Sequence, residues 1–132
     1  MTFLLDTNAV IAVLRNPAST VALRLRRQSP EDVAISVVVL HELYWGAYRS
    51  ARVEHNLAQV DVLAFPVLDL DLDDAREAGR LRAELAAVGL RIGGYDLLIA
   101  GQARARGLIV VTANTREFER VVGLNFEDWA AV

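Results

Sequence analysis

Four places in this 132-residue chain put an oxygen-bearing side chain at or just past a short apolar run. Asp6 follows Phe3-Leu4-Leu5, and Glu42 lies near the start of the helix that succeeds the apolar segment from Val33 to Val39. Asp96 opens a helix ahead of Leu97-Leu98-Ile99, and the turn from Thr112 to Glu117, which includes Asn114, follows Leu108-Ile109-Val110-Val111. In an open parallel sheet, ligands bind beyond the carboxyl ends of the strands, so acids at these positions share one rim. Carboxylates gathered within about 4 to 6 Å repel one another unless a cation is present. Hard oxygen donors without nitrogen or sulfur point to Mg²⁺ or Mn²⁺ rather than zinc. One or two such ions in an acidic cleft suit phosphodiester hydrolysis, in which the metal activates water, clamps the phosphate and stabilises the leaving oxygen.

Each of these residues also has a plainer role. Asp, Thr and Asn are helix-capping residues, and a glutamate in a first helical turn is favoured by the helix dipole. Asp6 taken alone is as well explained by a cap as by a ligand. Four independent caps on one rim would be a coincidence, and that is what favours a metal cleft.

The elements that must position these residues follow from apolar spacing and breakers. Phe3 to Leu5 is a buried strand, and the helix after it ends at Asn16-Pro17, because the residue before proline is pushed out of the helical region. Ser19 caps a second short helix whose Arg24, Arg26 and Arg27 form a solvated face. The segment from Val33 is a strand buried on both sides that turns into helix between Ser36 and Val39, since Leu40, Leu43, Tyr44 and Ala47 keep a three-and-four spacing. Helix is expected to continue from Arg49 to Ala64, with an edge strand between Phe65 and Leu68. A long helix from Ala75 to Val88 stops at Gly89, and a loop from Leu90 to Tyr95 leads to the helix that Asp96 opens. Leu108 to Thr112 is a third strand, Leu124 to Phe126 a short edge strand, and Trp129 packs down in a final turn. This alternation indicates an α/β fold with a mostly parallel sheet, and residues 1–132 form a single domain.

Louder features carry less. The acidic run Asp69-Leu70-Asp71-Leu72-Asp73-Asp74 stands immediately before a long helix, where capping and the dipole explain it better than a metal does. His41 is an isolated histidine and reads as a surface or hydrogen-bonded residue rather than a ligand. Tyr44, Trp45 and Tyr48 read as core or subunit packing ahead of base stacking.

Composition narrows the chemistry further. Hydrophobic residues make up 54% of the chain, enough for a substantial core, yet no run approaches the roughly 18 to 20 apolar residues of a membrane span. The N-terminus lacks the basic region and cleavage site of a secretory leader, so a soluble, cytoplasmic protein is expected. There is no cysteine, which excludes thiolate zinc sites and cysteine nucleophiles. There is also no lysine, which excludes a P-loop lysine and Schiff-base chemistry and leaves phosphate binding to Arg. The net charge of -3 argues against wholesale coating of nucleic acid but leaves room for a local site where metal offsets the acids.

The opening LLDTNAVIAVL, the glutamate in VVVLHEL, the segment DLLIAGQARARGLIVVT and the ending TANTREFERVVGLNFEDW together resemble the PIN-domain ribonucleases, specifically the VapC-type toxins of bacterial toxin-antitoxin pairs. The resemblance covers essentially the whole chain, with four motifs in order. It implies a three-layer α/β/α sandwich around a short, mostly parallel sheet, and Mg²⁺- or Mn²⁺-dependent endoribonuclease activity. Its first three acids fall on Asp6, Glu42 and Asp96. This sequence has Asn114 where many relatives have Asp, so the resemblance implies a neutral ligand or water-holder there, with Glu117 as a candidate fourth carboxylate. Thr7 and Thr112 become hydroxyls that position a water or phosphate, and a second ion is held weakly. Asp6 and Asp96 would hold the principal ion, while Glu42 helps to bind it or orients the attacking water. The resemblance also implies an RNA substrate, a homodimer, and inhibition by a VapB-type antitoxin whose arginine enters the acidic cleft.

Two rivals remain to be separated. A haloacid-dehalogenase-type phosphatase needs an acid where Asn8 stands, and both it and a phosphoreceiver need a lysine. A catalytically weak PIN-like protein-binding module is the other alternative, because fold does not guarantee chemistry.

Overall fold

The computed structural model describes residues 1–130, so the last two residues of the expected domain lie outside the described part. The chain forms a three-layer α/β/α sandwich. Five strands, β1 (Phe3–Leu5), β2 (Val33–Ser36), β3 (Val67–Leu68), β4 (Ile109–Val111) and β5 (Asn125–Glu127), pair in the order β3-β2-β1-β4-β5. Every described pairing is parallel, with Leu4 opposite both Ala34 and Val110. The helices are α1 (Thr7–Arg15), α2 (Thr20–Arg26), α3 (Val37–Tyr48), α4 (Val53–Asp61), α5 (Leu72–Ala87), α6 (Gly94–Arg106) and α7 (Thr115–Phe118).

The strand order explains where a site can be. From β1 the chain moves outward through β2 to β3, then crosses back through α5 and α6 to β4 on the other side of β1. Right-handed crossovers taken in opposite directions put their helices on opposite faces of the sheet. The reversal leaves a crevice between the carboxyl ends of β1 and β4, the switch point where open α/β sheets bind ligands. The central strands are short and apolar, and Leu4, Leu5, Ile35 and Val110 are wholly buried. Trp129 is buried as expected, its ring edge-on to Phe3 with centroids 5.0 Å apart.

Most expected elements are present, and the departures have local causes. Helix does not run unbroken from Arg49 to Ala64: α3 stops at Tyr48 and α4 starts at Val53. Ser50 Oγ donates to the Ala47 carbonyl at 2.7 Å and accepts from Asn56 Nδ2 at 2.9 Å, so a side chain supplies a turn between the two helices. The long helix α5 begins at Leu72, because Asp71 caps it and Asp74 returns the bond to the Asp71 backbone in a capping box.

The acidic run is therefore structural, and it does more than cap. Asp74 is buried and accepts from Arg106 Nη2 at 2.7 Å, while Gln102 Nε2 donates to Asp74 Oδ2 and to the Asp69 carbonyl, both at 3.0 Å. Burial alone would raise the Asp74 pKa, but Arg106, the Asp71 amide and Gln102 together bring it below its ordinary value. This clamp ties the start of α5 to the end of α6, the helix that carries Asp96. Trp45 and Tyr48 are not core residues, being 57% and 66% exposed, and Tyr44 sends its hydroxyl to Asp61 at 2.6 Å. Among the described residues no helix is long and apolar enough to cross a membrane.

Candidate active site

Asp6 stands between β1 and α1 as the N-cap of the helix. Its backbone amide donates to the Val111 carbonyl of β4 at 3.0 Å, which fixes it at the switch point, and its Oδ1 accepts from the Ala9 amide at 2.9 Å. The cap reading and the site reading of Asp6 are therefore compatible, since capping engages one carboxylate oxygen. Asp6 is only 3% exposed, and its pKa is raised. Desolvation is the main cause; hydrogen bonds from Thr112 and the Ala9 amide oppose it, and the charges of Glu42 and Asp128 add to it.

Glu42 arrives from β2. Ser36, buried at the end of that strand, caps α3 through the Val38 amide, and Glu42 follows on the same helix. Thr7 Oγ1 donates to Glu42 Oε1 at 2.7 Å, joining the start of α1 to α3. His41 beside it holds the Val38 carbonyl at 2.7 Å through Nδ1 and packs edge-on against Tyr95, as a hydrogen-bonded surface residue.

Asp96 lies in the first turn of α6 rather than at its cap, because the helix begins at Gly94 with Gly93 as the flanking residue. Burial pushes its pKa up to about 6, helped by the charges of Asp6, Glu117 and Glu42 and opposed by a bond from Asn114. Asn114 stands at the N-cap position of α7 without capping it. Its amide nitrogen instead donates to Glu117 Oε2 at 2.7 Å and to Asp96 Oδ2 at 3.3 Å. Thr112, 1% exposed, directly follows β4, and its hydroxyl accepts from the Asn114 backbone amide at 2.9 Å. In this arrangement the Asn114 amide nitrogen bridges two acids as a donor.

All seven residues singled out in the sequence thus meet at one end of the sheet, as the linked sets Thr7–Glu42, Thr112–Asp6 and Asn114–Asp96–Glu117. The residue that sequence reasoning missed is Asp128, whose charge reaches Asp6. Its one signal was its place just past the last edge strand, the same offset that distinguished Asp6.

The residues fit a hard divalent ion in donor type and charge. The charges of Asp6, Glu117 and Glu42 add to the proton affinity that burial gives Asp96, and an amide N–H already occupies the gap between Asp96 and Glu117 that positive charge would favour. Among the described residues no three His, Cys, Asp or Glu side chains converge into a ready-made cage.

Residues 3–124 match the PIN domain. The chain belongs to the PIN-domain family. It is 47% identical to the tRNA(fMet)-specific endonuclease VapC of Shigella flexneri, over 97% of this chain and 98% of that protein. It is 37% identical to the ribonuclease VapC2 of Haemophilus influenzae, over 96% and 97%. Among solved structures, the DNA-bound VapBC complex from Salmonella typhimurium contains a chain that superposes with a TM-score of 0.92 at 43% identity, covering 98% of both chains. A chain of VapBC2 from Rickettsia felis, bound to a fragment of its promoter, gives 0.90 at 32% identity, over 98% and 99%. The fold of this chain is thus shared with these structures over almost its whole length.

Proposed function

We propose that this PIN domain is a Mg²⁺- or Mn²⁺-dependent endoribonuclease, the toxin of a toxin-antitoxin pair, and that it works in the cytoplasm on RNA. The observation that carries the reading is the gathering of Asp6, Glu42, Asp96 and Glu117 at the switch point, where burial and mutual repulsion push Asp96 up to about 6. Near-full-length similarity to proteins named VapC supports the substrate class, and similarity to VapBC complexes supports a VapB-type antitoxin as partner.

In this reading Asp6 and Asp96 hold the ion, with Glu42 completing the set and Glu117 as a further carboxylate. The ion, when bound, supplies the positive charge that polarises the phosphodiester and stabilises the leaving oxygen. The remaining work belongs to the chain. Thr7 holds Glu42 in place, so its second oxygen can accept a hydrogen bond from the attacking water and orient it. Thr112 and the Ala9 amide favour ionised Asp6, and Asn114 does the same for Asp96. No side chain becomes covalently attached to the substrate. A homodimer is part of the proposal, and exposed Trp45 and Tyr48 on α3 offer surface for it.

The test is RNA cleavage by purified protein in Mn²⁺ or Mg²⁺, with Asp6→Asn as the control. Cleavage by wild type that is lost in Asp6→Asn and in chelator supports the enzyme. Equal inertness of wild type and variant, with both binding the antitoxin, would make the chain a protein-binding module.

A further inference from the structure

A groove beside the acidic cleft shares a single one of its acids, Glu42. It runs between α1, α3 and α4 and encloses about 370 Å³, within the roughly 300–1,000 Å³ of small-molecule sites. Arg15, Glu42, Gly46, Arg49, Asn56 and Gln59 line it over buried Leu43 and Ala47. Glu42 belongs to the groove and to the cleft at once, so whatever fills the groove lies against the reacting centre.

We propose that this groove is a nucleotide subsite, holding one nucleotide of single-stranded RNA next to the scissile phosphate; the proposal rests on the endoribonuclease reading. The base lies over Leu43 and Ala47, Asn56 and Gln59 read its edge, and Arg15 and Arg49 face the adjoining phosphate.

Three features select this occupant. The first is charge: two arginines line a groove next to four acids, and among the described residues neither is drawn into a salt bridge. Arg49 is instead spread over the Trp45 ring, 3.9 Å from its centroid, which leaves the hydrogen-bonding edge of the guanidinium for a phosphate. The second is amide chemistry: paired donors and acceptors on Asn and Gln match base edges, and Asn56 is already pinned by Ser50 at 2.9 Å. The third is Gly46. A mid-helix glycine is unfavourable, yet Gly46 has no positive φ to require it and a Cβ built there meets nothing within 4 Å. What the glycine preserves is open volume in the groove wall.

The experiment uses a pool of fluorescent single-stranded RNA nonamers randomised at every position. Binding is read by anisotropy in the Asp96→Asn background, and cleavage sites are read with Asp96 intact. Gly46→Leu fills the groove from a helix that tolerates leucine, and should weaken binding by roughly tenfold or more while the melting temperature holds. Gln59→Ala, on the exposed face of α4, should bind with a smaller loss and change which nucleotide is preferred beside the cut. Unchanged affinity and an unchanged cleavage pattern in both variants would overturn the subsite. So would a loss confined to binding of a co-expressed protein partner, which would make the groove a peptide site. If wild type cuts nothing but the Asp96→Asn protein binds RNA and Gly46→Leu abolishes that binding, the subsite stands and the nuclease reading falls. If RNA is not bound at all, the subsite falls, and the nuclease reading is decided by wild-type cleavage alone.

Discussion

Thr7 and Glu42, 35 residues apart in the chain, are joined by a 2.7 Å hydrogen bond from the threonine hydroxyl to the carboxylate. The bond links the residue after β1 to the helix after β2, so the geometry of Glu42 depends on where α1 starts. A hydrogen bond to a charged group contributes about 1.5–3 kcal/mol. Thr7→Val keeps the shape and removes the donor. Single-turnover RNA cleavage should fall by about tenfold to a hundredfold, with a change in melting temperature of only a few degrees. An unchanged rate would show that Glu42 needs no such positioning.

Asn114 sits between Asp96 and Glu117 as a neutral donor. Asn114→Asp removes that donor and adds a carboxylate to a set that already repels itself. The metal-free variant should melt below wild type at neutral pH, and millimolar Mn²⁺ should raise its melting temperature by a larger increment, since binding to the native state alone stabilises it. Calorimetric scans in chelator and in Mn²⁺ decide the matter, and equal increments would contradict the role given to this position.

Asp96 supplies a pH dependence whose sign follows from its shift. Its pKa rises from 3.8 to about 6 on folding, so between these values the folded state holds more proton than the unfolded one. Without metal, this group therefore favours folding below about pH 4, and its contribution becomes unfavourable as pH rises through 6. Asp96→Asn should raise stability in chelator by on the order of 1 kcal/mol at pH 7.5, less than the whole shift corresponds to because the carboxylate is partly exposed and screened, with the gain shrinking toward pH 4. Cleavage should show the opposite trend, with wild-type activity declining toward acid pH as the proton competes with the ion. A stability difference independent of pH would mean that Asp96 titrates normally.

The sequence was most informative where apolar periodicity met a breaker. Asp6 and Glu42 could be placed on one rim because short β-branched or aliphatic runs end just before their helices, and parallel topology brings such ends together. Dual roles could be suspected without being resolved: Asp6 caps α1 and lies among the acids, which no residue-type argument could decide. The break at Ser50 was hidden because side-chain bonds to Ala47 and from Asn56 make the turn in place of a glycine or proline. Asn114 was legible as a departure from the family pattern. Its donation to both neighbouring acids was not, because that depends on α7 starting beside α6. Asp128 escaped notice because its relevance comes from β5 pairing with β4, a contact between distant parts of the chain.

The crossing of α5 and α6 yields a paired prediction about glycine. A Cβ at Gly101 would lie 2.7 Å from both Cα and Cβ of Ala78, so α6 approaches the α5 backbone too closely for any side chain. Gly101→Ala must push the helices apart, at a cost of about 1–3 kcal/mol typical of overpacking. Because α6 also carries Asp96, RNA cleavage should fall more than the loss of folded protein explains. Gly79, on the exposed side of α5, meets nothing within 4 Å, so Gly79→Ala should stabilise by roughly 0.5–1 kcal/mol through helix propensity alone. Urea unfolding of the two variants should therefore move the midpoint in opposite directions. Movement in the same direction would show that α5 and α6 are not packed against each other as described.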